Sequence, residues 1–557
     1  MPQASASNLA QTLEQAVALH RQGDLAQAEK IYTRILKAQR DHFDALHLLG
    51  LLKHQAGKAG EAYRLISAAL AVNPRSPDAR SNLGLVLHAL KRDTDALASF
   101  DAALALDPGH VEALNNRGMA LLKAGRPADA LAAFERLLAL HPRHIEAQVN
   151  RANTLLDLAR LDEAIAAYDT IIALRPGHAG AHFNRANALV RQDRLDEAVA
   201  AYDRAIALAP GYVKAHNNRG LALRALNRHA EALASYGRAI GLDKDFADAH
   251  VNAAHALLSL GDLPRGFAAY EWRWKSESLA LPRRKFRELL WLGAPPVAGK
   301  TILLHAEQGL GDTIQFARYA KLLARAGAKV VLEVAPALKQ LLSEMEGTAR
   351  VVAQGEALPR FDLHCPLASL PLALKTELAS IPAEIPYLAA PERRLERWRA
   401  RMDALARPRI ALAWSGNAAH ANDRNRSIPL AHLELLWSRT GGSFVSVQRD
   451  VREADAGVLA GATRLVHLGD ELSDFADTAA ALALADLVIS VDSAVAHLAG
   501  AMGRPAWVLL PFSPDWRWLL GREDSPWYPT ARLFRQPAIG DWQSVIGRLR
   551  QELARAV

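Results

Sequence analysis

Two segments in the C-terminal half place glycine, aspartate, serine and histidine at spacings suited to anionic chemistry. The first, Glu307-Gln308-Gly309-Leu310-Gly311-Asp312-Thr313, follows the apolar run Thr301–Ala306. Gly309 and Gly311 let the backbone turn sharply and lie close to a ligand, because glycine carries no Cβ. Asp312 opens a helix-length stretch, where its carboxylate has two readings: a cap for free N–H groups or a general base. The turn lacks the third glycine of a dinucleotide fingerprint and the lysine of a P-loop, which sets NAD and ATP chemistry aside. The second segment, Val488–His497, runs from a hydrophobic strand into a helix whose first turn holds Asp492, Ser493 and Ala494. Free N–H groups at such a helix start suit a phosphate or diphosphate. His497 stands four residues after Ser493, on the same face; a buried, hydrogen-bonded histidine is the other reading.

A third polar cluster begins at Trp414-Ser415-Gly416-Asn417 and continues through His420, Asn422, Asp423, Arg424, Asn425, Arg426 and Ser427. Ser415 and Asn417 are expected to meet the ligand. Arg424 or Arg426 is expected to neutralise a departing phosphate, for which the planar guanidinium fork is suited. A surface loop held by its own Asx turns is the alternative. Asp474–Thr478 opens a helix that could meet a nucleotide base or ribose. The aromatics of Pro514–Trp518 and Pro526–Pro529 are expected either to stack on a sugar or base or to pack a C-terminal helix.

The elements around these turns alternate. Apolar runs at Thr301–Ala306, Lys329–Val334 and Ala349–Val352 are separated by helix-length stretches, the first from Asp312 to Ala326. The pattern restarts at Arg409–Trp414, Ser443–Val447, Arg464–His467, Asp486–Val491 and Pro505–Leu510. Such alternation predicts parallel sheets covered by helices, here two Rossmann-like lobes around a cleft. Ligands in these sheets bind beyond the carboxyl ends of the strands, where the three clusters lie. The expected divisions are a linker over 276–298, an acceptor lobe over 299–392, an inter-lobe linker over 393–407, a donor lobe over 408–520 and a returning C-terminal helix over 521–557.

The GLGD turn and SVDSAVAHLAGAMGRPAWVLLP together resemble glycosyltransferase family 9, the heptosyltransferases of GT-B fold. The resemblance implies that Asp312 is a catalytic base from the acceptor lobe. It also implies that Asp492, Ser493, His497, Gly503 and Pro505 belong to the motif that grips the donor diphosphate. Ala494 replaces that motif's usual glycine and would crowd the phosphate slightly. Gly309, Gly311, Ser415, Asn417, Arg424 and Arg426 complete the expected donor site. The family implies a nucleotide sugar as substrate, with no metal and no other cofactor.

The N-terminal half carries a period. Pro74, Pro108, Pro142, Pro176 and Pro210 stand 34 residues apart. Small residues recur at Ala16, Gly50, Gly84, Gly118, Ala152, Ala186, Gly220 and Ala254, and again twelve residues on from Ala28 to Gly266. This pattern resembles tetratricopeptide repeats, about eight of them over 9–275, after a short tail over 1–8. Small side chains let paired helices approach, and proline ends each second helix. Asn82, Asn116, Asn150, Asn184, Asn218 and Asn252 share one position in six first helices. They are expected to bind the backbone of an extended polypeptide, much as the asparagine ladder of O-GlcNAc transferase does. The alternative is hydrogen bonding to a neighbouring helix. Arg117, Arg151, Arg185 and Arg219 follow the ladder by one residue, as a recognition stripe or a solvated basic face.

A net charge of +8 favours anionic partners. The basic residues are dispersed and match no nucleic-acid motif, so nucleic acid is set aside. The single cysteine, Cys365, rules out an internal disulfide, and no basic-headed apolar leader or spanning stretch of about 20 residues is visible. A cytoplasmic location is expected; the oligomeric state stays open, a homo-oligomer included. Repeats joined to a nucleotide-sugar site resemble bacterial flagellin glycosyltransferases. The expected function is O-glycosylation of Ser or Thr on a polypeptide held by the repeats. The rivals are a lipopolysaccharide heptosyltransferase and a scaffold whose transferase part has lost catalysis.

Overall fold

The computed structural model describes residues 2–420, 422–439 and 441–556. The chain forms two compact units, Met1–Pro210 and Gly211–Val557. The first contains six helical hairpins, from Pro2–Arg21 with Leu25–Ala38 to Ala179–Arg191 with Leu195–Leu208. Helix starts at Pro2, so the tail expected over 1–8 is part of the first helix. Each periodic proline falls two residues past its helix: Leu106 is the last helical residue before Pro108, and Leu140 before Pro142. The small residues act as inferred. A Cβ on Gly118 would lie 2.5 Å from Phe134, and one on Gly50 2.5 Å from Ile66. A second feature recurs every 34 residues without a matching residue type. The hairpin turns hold left-handed backbone at Gly23, Gly57, Lys91, Gly125, Ala159 and Asp193. Glycine is the default there, yet the turn geometry is kept where other residues stand.

The asparagine ladder is bonded along the stack. Asn82 Nδ2 reaches His47 Nε2 (2.8 Å), Asn150 donates to Asn115 Oδ1 (3.1 Å), and Asn184 to Asn153 Oδ1 (2.9 Å). In the second unit Asn252 donates to Asn217 Oδ1 (3.0 Å), while Asn218 Oδ1 accepts from Asn217 (3.2 Å). Asn116 is half-buried on the same face. One amide hydrogen bond of Asn82, Asn150, Asn184 and Asn252 is therefore made to a neighbouring helix. The arginines are likewise engaged: Arg117 with Asp101 (2.6 Å), Arg151 with Glu135 (3.2 Å), Arg185 with Asp169 (2.6 Å) and Arg219 with Ser235 (2.6 Å).

The second unit starts inside the repeats. Its first two hairpins are Val213–Ala225 with His229–Leu242 and Ala247–Ser259 with Leu263–Tyr270. Two parallel sheets follow. The first has the strand order β1-β5-β2-β3-β4, built from β1 (Leu289–Leu290), β2 (Thr301–His305), β3 (Lys329–Val334), β4 (Arg350–Ala353) and β5 (Leu363–Pro366). The second has the order β11-β10-β9-β6-β7-β8. Its strands are β6 (Arg409–Ala413), β7 (Ser443–Ser446), β8 (Leu465–His467), β9 (Leu487–Val491), β10 (Ala506–Leu510) and β11 (Ala531–Arg535). Apolar runs buried on both faces and joined by helices produce such parallel sheets. The stretch expected as one helix from Asp312 to Ala326 divides into Leu310–Ala317 and Tyr319–Arg325. Arg318 at the break turns inward, donating to the Gln315 carbonyl (2.9 Å), the Trp527 carbonyl (2.8 Å) and Tyr387 (3.0 Å).

Three expected boundaries are corrected. The segment 276–298 is no loose linker: β1 pairs with β5, Trp291 is buried, and Arg284 pairs with Glu333. The stretch 393–407 is mostly the helix Glu392–Asp403, pinned to the second sheet's helix Phe475–Ala483 by Trp398 Nε1 on Asp477 (2.9 Å). The C-terminal helix expected over 521–557 is confined to Trp542–Ala556, after β11. Its Val545, Leu549 and Leu553 share a core with Leu433 and Leu436 beside the second sheet.

The last two hairpins are fused to the sheets by buried polar contacts. Arg273, fully buried, binds Glu307 (3.2 Å) and Ser369 (2.6 Å) of the first sheet. Asn227 donates to the Phe512 carbonyl (2.7 Å), and Ser513 donates to the Arg224 carbonyl (3.1 Å). Burial pushes the Glu307 carboxyl up to about 7, against the pull of Arg273. Removing one partner of a buried pair costs about 3–5 kcal/mol. A fragment spanning 211–557 is therefore expected to unfold cooperatively on heating, whereas a fragment starting at residue 276 is expected to aggregate or show no thermal transition. Circular dichroism melting of the two fragments checks this, and equal behaviour would place the boundary elsewhere.

Candidate active site

The carboxyl ends of β2 and β9 bring two helix starts together. The Leu310–Ala317 helix packs on Ala494–Ala501, and Gly311 sets the contact. A Cβ at Gly311 would lie 2.8 Å from His497 Cδ2 and 3.6 Å from Ala494 Cα, so any side chain would push the two turns apart. Gly309 caps the first helix, and its N–H donates to Asp312 Oδ2 (3.0 Å). The capping reading of Asp312 thus holds for one oxygen. The other, Oδ1, accepts from Arg517 Nη2.

Arg517 is the residue that sequence reasoning passed over. It donates from Nε to Gln315 Oε1 (2.6 Å) and from Nη1 to Asp515 Oδ1 (2.8 Å), and it stacks on Trp516 at 4.3 Å. Asp515 also accepts from the Arg517 N–H (3.0 Å), which closes the loop after β10. A buried guanidinium thus joins two carboxylates, one from each sheet. The PDWRW segment read as aromatic; its Asp-x-Arg pair was the available signal.

The polar cluster after β6 forms the other wall. Ser415 is buried and its Oγ has no hydrogen-bond partner. The N–H groups of Trp414 and Ser415 donate to Gln448 Oε1 (3.2 and 3.1 Å), another residue not anticipated. Arg426 lies over Gly416, where an added Cβ would meet its Cζ at 2.7 Å. Its Nη1 donates to the Asp492 carbonyl (3.1 Å), and its buried Nε makes no hydrogen bond but pairs with Asp423 Oδ1 at 3.5 Å. Asn417 forms an Asx turn with the Ala419 N–H (3.0 Å). Arg424 is exposed on the Asp423–Arg426 turn. Ser493 caps its helix by accepting from Val495 N–H (3.3 Å) and contacts Ser490 Oγ (3.0 Å). Asp492 is buried beside it, its carboxyl pushed up by burial and by Asp515. Ala494 begins the helix at the contact with Gly311. The Asp474–Thr478 edge is tied down: Asp474 caps its helix and pairs with Arg394 (3.0 Å).

His497 is an interior residue and not an open ligand. It stacks on Trp518 at 5.4 Å, its Nδ1 bonds the Tyr528 hydroxyl (2.9 Å), and burial drives its ring down to about 3. The aromatics of the two C-terminal segments are buried as well. Trp516, Trp518, Trp527 and Tyr528 belong to the core around both helix starts, which leaves them neither stacked toward solvent nor packed on the final helix.

The sequence profile of the tetratricopeptide repeat matches residues 13–63, 47–111, 94–145, 115–179 and 149–213, and a related profile matches 220–261. The repeats are tetratricopeptide repeats. Downstream of these repeats, residues 449–510 match glycosyltransferase family 9 (heptosyltransferase), a stretch that runs from just after β7 through Ser493 to the end of β10. The chain therefore joins tetratricopeptide repeats to a C-terminal part that matches glycosyltransferase family 9 over one short stretch. Protein FlbA of Caulobacter vibrioides is 27% identical over 318 residues, 52% of this chain and 52% of that protein. The chain thus spans about half the length of this curated relative. Solved repeat structures are also similar. One from Parabacteroides merdae has 18% identity and a TM-score of 0.35, covering 45% of this chain and 99% of its own. One from Cytophaga hutchinsonii has 15% identity and a TM-score of 0.38, covering 42% and 95%. Among the described residues no helix is long and apolar enough to cross a membrane.

The buried histidine makes the joined helix starts sensitive to acid. His497 takes up a proton near pH 3 when folded and near its ordinary 6.5 when unfolded. The unfolded chain therefore binds the extra proton first, and stability falls as pH drops through the window from 6.5 to 3. One such group contributes at most about 1.4 kcal/mol per pH unit. Chemical denaturation at pH 7 and pH 5 is expected to show this loss, and His497→Asn is expected to flatten the dependence by about 1 kcal/mol per unit. An unchanged slope in the variant would take His497 out of the acid response.

Proposed function

We propose that the protein is a metal-independent GT-B glycosyltransferase that moves a sugar from a nucleotide-sugar donor to a Ser or Thr hydroxyl. The polypeptide acceptor is delivered by the tetratricopeptide repeats. The observation that carries this reading is the meeting of Asp312, from the first sheet, with a cradle of Ser415, Arg426 and the Ser493 helix start on the second. The family 9 match over 449–510 spans that helix start. One donor of the cradle, Ser415 Oγ, is unengaged inside the protein, and Arg426 Nε is held only by a long ion pair to Asp423 (3.5 Å). Such groups suit the oxygens of a diphosphate.

In the proposed reaction the acceptor oxygen bonds to the anomeric carbon as the bond from that carbon to the phosphate oxygen breaks. The nucleoside diphosphate leaves with the electron pair. Arg426 and the N–H groups at the start of Ala494–Ala501 offset its charge. Asp312 takes the hydroxyl proton. The ladder's bonded amides make side chains and backbone beyond Asn82, Asn150, Asn184 and Asn252 the better candidates for holding the peptide.

The test is the intact mass of secreted filament protein, flagellin first, from the native host with and without this gene. A discrete sugar mass lost in the deletion strain is expected to return with wild type and not with Asp312→Asn, whose turnover should fall by about 100-fold or more. Turnover should be unchanged by a chelator. Unaltered filament mass with a truncated lipopolysaccharide would assign the sugar to a lipid acceptor, and neither change would leave the scaffold reading.

A further inference from the structure

Asp312 cannot act as a base while both its oxygens are engaged, and the structure shows what would have to move. Oδ2 is held by its own Gly309 N–H, a local cap that can persist through turnover. Oδ1 is held by Arg517, which comes from the other sheet. The side chain of Arg517 is only 10% exposed and bridges Asp312 in the GLGD turn to Asp515 in the loop after β10. Within the same cluster lies the cradle for an anion. Arg517 depresses the titration of His497, and Arg517 and Arg426 both act on Asp492, beside the Ser493 helix start. Gln315, which accepts from Arg517 Nε, is fully buried and its Nε2 has no acceptor. The cluster therefore holds an unspent donor at the point where Arg517 is anchored to the first sheet.

We infer that Arg517 is a positioning residue that exchanges partners: it holds Asp312 before the donor arrives and turns to the donor's diphosphate when it binds. This rests on the proposed glycosyltransferase reading. A guanidinium forms charge-assisted bonds with phosphate as readily as with carboxylate, and a diphosphate brings more negative charge than one aspartate. Asp515 keeps Nη1 of the arginine in place throughout, so only the Nη2 bond to Asp312 needs to change. Binding of the donor thereby frees Oδ1 of Asp312 for the acceptor proton. The consequence is an ordered reaction in which the acceptor meets an active base only after the donor is bound.

Exchange and simple bracing predict opposite signs. The full-length protein, its Asp312→Asn variant and its Arg517→Lys variant would be titrated calorimetrically with UDP, GDP, ADP and CDP, after melting curves confirm that each is folded. Under exchange, Asp312→Asn removes the competing carboxylate but keeps the cap acceptor, so the preferred diphosphate binds about tenfold tighter. Arg517→Lys keeps the charge but loses the fork, so binding weakens about tenfold and the KM for donor rises more than kcat falls. Equal or weaker binding by Asp312→Asn would overturn the exchange while leaving the glycosyltransferase reading intact. Failure of wild type to bind any of the four diphosphates would overturn that reading and the inference with it.

Discussion

Everything in the C-terminal unit depends on how closely two helix starts approach at Gly311. The two sheets bring their strand ends to this point, and the absence of one Cβ lets the GLGD turn rest on the His497 ring and on the Ala494 backbone. That contact explains why His497 is interior and neutral. It also explains why four aromatic residues, Trp516, Trp518, Trp527 and Tyr528, are buried around it. Close packing of large rings fixes neighbouring backbone to within fractions of an ångström, since interiors are packed like crystals. Polar groups at the surface of this cluster inherit that precision without belonging to long elements of their own.

Much of this was legible in the residues, and the misses have physical causes. Repeats are visible because each hairpin packs on its neighbours through the same small positions, so Gly84 and Gly118 announce themselves by period alone. Strands such as Leu487–Val491 are visible because burial on both faces leaves a nearly continuous apolar run. β1 and β5 were missed because short strands at or beside a sheet edge need only a few apolar residues, and β11 because Ala531–Arg535 alternates arginine with hydrophobic side chains. At the site, the turn glycines and Ser493 could be read locally. The partner of Asp312 could not, because Arg517 is 205 residues away and local spacing carries no information about it.

The period also hides a division. The repeat pattern continues through residue 270, yet the compact units part at Pro210. Periodicity reports how a hairpin packs on the next hairpin; it says nothing about what else that hairpin buries. In the last two, the positions that differ from earlier repeats are the informative ones. Arg224 stands where earlier first helices have Leu122, Leu156 and Val190, and His255 lies where they have Asn153 and Asn187. Both of these late residues act electrostatically within the cluster containing Asp515 and Arg517. The repeats nearest the sheets have thus become part of the enzyme-like unit while keeping the repeat's outline.

That division separates two kinds of tolerance to change in length. Within Met1–Pro210, consecutive hairpins pack through the same kinds of contact, so gaining or losing a whole 34-residue module leaves every remaining contact type intact. In the second unit the hairpins are tied to the sheets through Arg273 and Asn227, and removing either hairpin breaks a buried polar contact. The first unit therefore tolerates a change in repeat number that the second does not.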